Sequence, residues 1–162
     1  MPRIAFQVES PVPPEQILAA ATDFSPRRPE LWPLIDPTVY RVCAIGDDWA
    51  DVTEGSAMLG GIWASERYDW SERGVVRATI QDSNVYRPGD TWELRAEPGA
   101  GGSGSRVSVV YDRRPRGLRG YVLAAMLRLM GRRELPRALG LTLSRLESSP
   151  QVARLDNAEV RS

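Results

Sequence analysis

The chain has 162 residues, enough for one domain with a substantial core, and its 21 basic residues balance its 21 acidic ones. Balanced charge gives no indication of a nucleic-acid partner or of a strongly anionic one. The sequence contains no histidine, which excludes His-based catalytic triads and most zinc or non-haem iron sites, so we expect neither a metal nor a cofactor.

The first part of the chain predicts one strand and two short helices. Residues 3–9 alternate between apolar and polar side chains, which is typical of a strand. The prolines within 11–14 end this strand and favour the start of a short helix. A second short helix is expected between residues 25 and 33, because Pro26 and Pro33 mark its start and its end.

Six further strands are expected after residue 38. Short turn sequences rich in Gly, Asp, Ser and Pro separate them, and such short breaks favour antiparallel hairpins. The single cysteine, Cys43, falls in the first of them, where we expect a small buried side chain rather than a nucleophile. The predicted strands cover residues 38–46, 49–55, 62–70, 74–86, 90–97 and 105–112.

The last predicted element is a long apolar helix over about residues 115–146. Gly131 and Pro136 are expected to kink it or split it into two pieces. Leu123 and Leu127 make it apolar on more than one side. The spacing i, i+3, i+4 predicts one buried face, which consists of Leu118, Tyr121, Val122, Ala125, Met126 and Leu129.

The two ends of the chain carry little pattern. Residues 149–162 lack periodicity and are expected to form a frayed tail, so a single domain is predicted over residues 1–148. The opening residues MPRIAFQVES contain no apolar signal segment, and no run approaches the roughly 18–20 residues of a membrane span. The expected location is therefore the cytoplasm.

Four short stretches carry a resemblance to a known family: 66–71 (ERYDWS), 82–86 (DSNVY), 92–94 (WEL) and 112–120 (DRRPRGLRG). They resemble the START/SRPBCC helix-grip superfamily, which includes polyketide cyclases and lipid-transfer domains, and look most like its bacterial polyketide cyclase/dehydrase-like members. The resemblance spans about residues 3–147. It implies an α+β fold in which a curved antiparallel seven-stranded sheet surrounds a long C-terminal helix, with two short helices between strands 1 and 2. It also implies an open apolar pocket between sheet and helix.

Alternation along each strand assigns one face to that pocket. Hairpin pairing is expected to place Glu66 near Ile80 and within a diagonal step of Asp82. A mainly apolar pocket with a few placed polar groups is the usual make-up of a small-molecule site. The polar residues predicted on this face are Glu66, Tyr68, Asp82, Asn84 and Tyr111.

Three further residues complete the predicted ligand-binding set. Trp92 is expected beside Asn84 on one neighbouring strand and Tyr111 on the other. On the last helix, Tyr121 and Met126 are expected to contact the ligand.

The polar residues of this face have two open interpretations. Glu66 and Asp82 are candidate catalytic groups, because two carboxyls close together in a low-dielectric pocket have a raised pKa and are able to move protons. Alternatively, the carboxylates serve edge pairs and turns while the tyrosines pack with their hydroxyls bonded. Trp32 and Trp63 likewise either line a pocket entrance or pack in the core.

Arginines frame the last helix. One interpretation is transient contact with an anionic membrane surface during lipid delivery. The other is a core helix whose arginines face solvent or cap its carbonyl groups. These residues are Arg113, Arg114, Arg116, Arg119, Arg128, Arg132, Arg133 and Arg137.

The sequence predicts a carrier or sensor that binds an apolar small molecule, such as a lipid, a polyketide or an isoprenoid, between the sheet and residues 117–148. One alternative is a polyketide aromatase/cyclase or dehydratase, in which the pocket enforces a folded substrate and a carboxyl or a tyrosine moves protons. A second alternative is an interaction module whose pocket is filled by its own side chains and whose arginine-framed helix docks a partner.

Overall fold

The computed structural model describes residues 3–148, and its main feature is one seven-stranded antiparallel sheet. The strand order is β1-β7-β6-β5-β4-β3-β2, so β1 lies beside β7 and every other strand pairs with its neighbours in the chain. This confirms the predicted sheet, whereas the predicted tail at 149–162 lies outside the described residues. The strands are β1 (Ile4–Ser10), β2 (Arg41–Ile45), β3 (Trp49–Ser56), β4 (Ile62–Asp69), β5 (Val75–Ser83), β6 (Thr91–Pro98) and β7 (Ser105–Asp112).

Three α-helices accompany the sheet: α1 (Pro14–Ala21), α2 (Arg28–Leu31) and α3 (Gly117–Glu147). A short 3₁₀ turn, Met58–Gly60, joins β3 to β4. The first two helices lie between β1 and β2, as predicted. Helix α1 begins at a proline, which suits a position whose amide needs no partner within the helix.

Helix α3 is continuous, so the predicted split at Gly131 and Pro136 is wrong, while the kink given as the other outcome stays a prediction. Leu123 before the proline and Leu139 and Leu143 after it are all buried. Because packing rather than intrinsic propensity supplies most of the stability of a protein helix, contacts on both sides hold α3 through the proline. Within residues 3–148, no helix combines the length and apolarity needed to cross a membrane.

A β-bulge separates the two halves of β5. Ser65 pairs with Asp82 and Glu66 with Ile80, which leaves Gln81 as an extra residue. The predicted pairing of Glu66 with Ile80 is confirmed, but the extra residue reverses the alternation that follows it. Ile80 is therefore buried while the Asp82 side chain is 60% exposed, and the predicted position of Asp82 on the concave face is wrong.

A second register shift lies between β2 and β3. The pairing jumps between Val42 and Ala44, so Cys43 falls at the irregularity. Its side chain is exposed, and the prediction of a buried cysteine is wrong. An edge strand with an irregular register leaves this residue no neighbouring layer to pack against.

The predicted buried face of α3 is also wrong. Leu118 and Leu129 are 82% and 84% exposed, whereas Leu123 is buried. The inner face passes through Gly120, where an added Cβ would clash with the carbonyl oxygen of Val85. The helix therefore meets the rest of the protein at a glycine, and this small residue does not register in a hydrophobic pattern.

The orientation of α3 predicts opposite effects of two similar substitutions. Leu139→Ala removes a buried side chain and should lower the free energy of unfolding by about 2–5 kcal/mol. Leu129→Ala removes an exposed one and should change it by less than about 0.5 kcal/mol. Urea denaturation of the two variants checks this, and a larger loss for Leu129→Ala would contradict the orientation.

Candidate functional site

An apolar cavity of about 580 Å³ lies between the concave face of the sheet and α3. This volume falls within the range of about 300–1,000 Å³ that is typical of small-molecule sites. Helix α3 contributes aliphatic side chains to one wall, including Leu123, Leu127, Leu135 and Leu139. The opposite walls contain the aromatic residues Phe6, Trp32, Trp63, Tyr68, Tyr86, Trp92 and Tyr111.

The cavity has a mainly apolar mouth. Four large hydrophobic side chains of its lining are exposed to solvent, and they mark where the cavity meets the surface. Leu34 follows α2, Met58 lies in the 3₁₀ turn, Trp63 is on β4, and Leu141 is on α3. The exposed ion pair of Glu134 and Arg137 also lines the cavity, so an entering molecule meets apolar side chains together with this polar pair.

A buried ion pair joins α2 to the sheet at one side of the cavity. Arg28 Nε donates to Glu54 Oε1 at 2.6 Å, and the Tyr68 hydroxyl donates to Glu54 Oε2 at 2.9 Å. Arg28 Nη1 also donates to the carbonyl oxygens of Ala21 and Asp23 at 2.9 and 3.2 Å. Both oxygens of Glu54 are thus used, and the arginine fixes the chain between α1 and α2 against β3.

Aromatic rings surround this arginine. Its guanidinium carbon lies 4.5 Å from the ring centre of Phe24, 5.1 Å from that of Tyr68 and 5.5 Å from that of Trp32. Burial lowers the pKa of Arg28, but Glu54 and Tyr68 raise it by more than burial lowers it. The net pKa is therefore above its ordinary value. Burial, with the neighbouring Glu54, holds the pKa of Tyr68 well above its ordinary value. Arg28 therefore stays charged and Tyr68 stays protonated.

A second buried ion pair also lines the cavity, and it is incompletely bonded. Arg113 Nη2 donates to Glu66 Oε1 at 2.8 Å, and the two side chains are 10% and 5% exposed. Rings of Tyr86 and Tyr111 lie 4.7 and 5.7 Å from the guanidinium carbon. Glu66 Oε2 and Arg113 Nε are buried and have no hydrogen-bond partner within the described part of the chain.

Burial dominates the protonation of this pair. It raises the pKa of Glu66, and although Arg113 lowers that pKa, the net value is above that of an ordinary glutamate. Burial raises the pKa of Tyr111 to about 12. Glu66 is therefore the carboxyl of this wall that holds a proton more readily than usual, and Tyr111 stays protonated.

The segment between β7 and α3 fixes the position of Arg113. The backbone amide and Nε of Arg114 both donate to the buried carboxylate of Asp90, at 2.6 and 2.7 Å. The amide of Arg116 donates to the carbonyl oxygen of Val85 at 2.8 Å. These bonds attach two residues that follow Arg113 to the connection between β5 and β6, and the Arg113 side chain reaches Glu66.

The structure brings four of the predicted site residues to the cavity: Glu66, Tyr68, Trp92 and Tyr111. Trp92 pairs with Tyr111 as predicted, but its partner on β5 is Ala78 rather than Asn84. That these four residues contact a ligand stays a prediction. The two tryptophans considered for the entrance, Trp32 and Trp63, also line the cavity.

Two predicted residues on β5 and its following turn lie elsewhere. Asn84 is not part of the cavity wall; its amide accepts from the Trp63 amide and donates to the Gly61 carbonyl, both at 2.9 Å. Asp82 is exposed and accepts from Arg116 at 3.1 Å. Both therefore have the structural roles that the sequence left open as an alternative.

The two predicted residues on α3 are also absent from the cavity wall. Tyr121 is 58% exposed, and Met126 is half-buried without lining the cavity. The cause is the orientation of α3 about its own axis, which directs Leu123 and Leu127 inward instead.

Sequence reasoning missed both arginines and Glu54 as members of the wall. Glu54 continues the alternation of Ala50 and Val52 on β3, so its inward position was available from the pattern. Arg113 was noticed only as part of the basic frame of α3. Arg28 lies in a helix of four residues, where no periodicity distinguishes an inward from an outward side chain.

Solved structures with the same architecture include three with similar lengths. The Zhui aromatase/cyclase from a Streptomyces species aligns with a TM-score of 0.73 and 14% identity, covering 90% of this chain and 93% of that one. A protein from Thermus thermophilus aligns at 0.72 and 16%, covering 91% and 100%. A START superfamily protein from Mycobacterium smegmatis aligns at 0.67 and 14%, covering 89% and 98%.

These similarities show the fold. The chain has the START/SRPBCC helix-grip fold, as the short sequence stretches indicated. No family model and no curated protein sequence matches the chain. Identities of 14–16% show a shared fold and carry no information on activity.

Breaking the fully bonded Arg28–Glu54 ion pair should cause a large loss of stability. Glu54→Ala leaves a buried arginine without its carboxylate and should lower the free energy of unfolding by about 3 kcal/mol or more. The control is Glu72→Ala, which removes an exposed partner of Arg95 and should cost less than about 1 kcal/mol. Chemical denaturation measures both, and equal losses would show that the Arg28 pair has no special role.

Proposed function

We propose that the protein is a carrier or sensor that binds an apolar small molecule in the cavity between the sheet and α3. The observation that carries this proposal is the cavity of about 580 Å³ with aromatic and aliphatic walls and two buried ion pairs among them. That combination is the ordinary make-up of a small-molecule site. Lipids, polyketides and isoprenoids are the ligand classes that suit it.

Packing energetics support an occupant. Because the cavity opens to the surface, an apolar ligand that enters it displaces water from apolar walls. Each square ångström of apolar surface removed from water contributes about 25 cal/mol. Binding an apolar molecule is therefore favourable in a cavity of this volume, and the alternative of a module with a filled pocket loses support.

The aromatase/cyclase alternative is favoured by one observation, the raised pKa of Glu66. A carboxyl that retains its proton more readily than usual is suited to general acid–base chemistry on a bound poly-β-ketone. This alternative now depends on Glu66 with Tyr68 and Tyr111, because Asp82 lies on the outside of the sheet. The walls would hold the substrate in a folded conformation.

Filling the cavity should abolish ligand retention. Native mass spectrometry of the purified full chain is expected to show an added mass, and Ala138→Phe, on the cavity side of α3, should reduce its occupancy at least about tenfold, because the larger side chain takes up ligand space. The control Ala125→Phe adds the same ring on the exposed side of α3 and should retain the ligand.

Solvent extraction of the retained molecule separates the two functions. A carrier returns the molecule it was given, whereas a cyclase incubated with a poly-β-ketone returns a cyclised or dehydrated product. In the mass-spectrometry experiment, equal ligand occupancy in Ala138→Phe and Ala125→Phe would contradict binding in this cavity.

We further propose that α3 contacts an anionic membrane when the ligand is exchanged. An outer stripe of apolar side chains on this helix is exposed, and it consists of Leu118, Tyr121, Val122, Leu129 and Met130. The exposed Arg119, Arg128 and Arg133 lie on the same helix. Apolar groups flanked by cations suit the boundary between acyl chains and anionic headgroups.

The membrane contact predicts a charge-dependent loss of binding. The double variant Arg128→Gln/Arg133→Gln should float with phosphatidylglycerol-containing vesicles several-fold less than the unmodified protein, since each basic residue near such a surface contributes about 1 kcal/mol. Arg73→Gln, in the turn between β4 and β5, is the matched control and should float normally. Equal flotation with pure phosphatidylcholine vesicles would exclude this contact.

A further inference from the structure

The Glu66–Arg113 pair contains two buried polar atoms that the surrounding protein leaves unbonded. Glu66 Oε2 is an acceptor and Arg113 Nε is a donor, and neither has a hydrogen-bond partner among residues 3–148. The other pair of the cavity differs, since both oxygens of Glu54 are bonded. Unbonded buried polar groups are costly, and a molecule from outside the chain, a ligand or a water, is able to supply the missing bonds.

The partner has to do two things at once. It must donate a hydrogen bond to Glu66 Oε2 and accept one from Arg113 Nε, while one Glu66–Arg113 bond of 2.8 Å already joins the two groups. A hydroxyl group has one donor and two acceptor lone pairs, so a single hydroxyl has the groups needed to bond both atoms. A methyl group of the same size satisfies neither.

The charges of the wall favour a neutral partner over an acidic one. Arg28 is matched by Glu54 and Arg113 by Glu66, so each buried pair is neutral. A ligand carboxylate at the second pair would compete with Glu66 for the same guanidinium and would bring an unmatched negative charge into an apolar cavity. A hydroxyl adds hydrogen bonds without adding charge.

Both residues line the cavity, and their side chains are 5% and 10% exposed. The two unbonded atoms themselves are enclosed, so both side chains have to turn toward the cavity before a bound molecule reaches Glu66 Oε2 and Arg113 Nε. The tyrosine rings beside Arg113 interact with its charge but do not replace the in-plane hydrogen bond of Nε. Most of the remaining lining is aromatic or aliphatic, which suits the apolar body of the same molecule.

We propose that the Glu66–Arg113 pair recognises a hydroxyl group, alcoholic or phenolic, on an otherwise apolar and uncharged ligand. This inference rests on the proposed binding function and specifies its ligand class. The hydroxyl donates to Glu66 Oε2 and accepts from Arg113 Nε, and the apolar body lies along the aromatic and α3 walls.

Three matched probes test the proposal on the full chain at neutral pH. They are 2-naphthol, 2-methylnaphthalene and 2-naphthoate, which place a hydroxyl, a methyl or a carboxylate on the same ring system. Quenching of tryptophan fluorescence reports binding, because Trp32, Trp63 and Trp92 line the cavity. We expect 2-naphthol to bind at least about tenfold more tightly than 2-methylnaphthalene, from the net value of two hydrogen bonds, both of them to charged groups. We expect 2-naphthoate to bind more weakly than 2-naphthol.

A double variant identifies the residues responsible. Glu66→Met/Arg113→Met replaces the pair with uncharged side chains of similar length, and the preference should reverse in favour of 2-methylnaphthalene. Binding of that apolar probe itself shows that the variant retains a folded cavity. The control Glu72→Met/Arg95→Met removes an exposed pair on the outer face and should keep the preference for 2-naphthol.

The outcomes distinguish this inference from the function on which it rests. If none of the probes binds the unmodified protein, the proposed ligand-binding function is overturned. If 2-methylnaphthalene binds as tightly as 2-naphthol, the cavity binds ligands but the pair does not recognise a hydroxyl. If 2-naphthoate binds most tightly, the ligand class is an acid and the neutral-ligand inference is overturned. The comparison of probes on the unmodified protein decides the question even if the double variant does not fold.

Discussion

Burying a guanidinium group in an apolar wall is stable only when a carboxylate lies within hydrogen-bonding distance, and this constraint organises the concave side of the sheet. Arg28 comes from the segment before β2 and meets Glu54 on β3, while Arg113 comes from the segment after β7 and meets Glu66 on β4. The two pairs attach α2 and the segment between β7 and α3 to two neighbouring strands, β3 and β4. The space between them, α3 and the remaining strands is the cavity.

The two pairs differ in a way that connects structure to function. Glu54 has both oxygens bonded and its arginine also holds two backbone carbonyls, so this pair stabilises the fold. The Glu66–Arg113 pair leaves one acceptor and one donor unbonded. A protein tolerates such a deficit most readily where an external molecule supplies the missing bonds, which is why the second pair carries the ligand proposal.

The sheet was predictable from the sequence because strand alternation and turn chemistry are local properties, and four inward residues of the cavity followed from them. The predictions that were wrong or missing concerned features that depend on contacts between distant segments. The position of Asp82 depends on a bulge at Gln81, which only the pairing of β4 with β5 reveals. The inner face of α3 is set where Gly120 meets Val85. Glu66 and its arginine are 47 residues apart, and no local pattern joins them.

The central proposal is that a ligand completes the Glu66–Arg113 pair inside the cavity. A crystal structure of the full chain grown with 2-naphthol tests it most directly. We expect the naphthalene ring to lie between the sheet and α3. The hydroxyl oxygen of 2-naphthol should lie within hydrogen-bonding distance of both Glu66 Oε2 and Arg113 Nε. A ring bound elsewhere on the surface, or a cavity closed by movement of α3 onto the sheet, would contradict it.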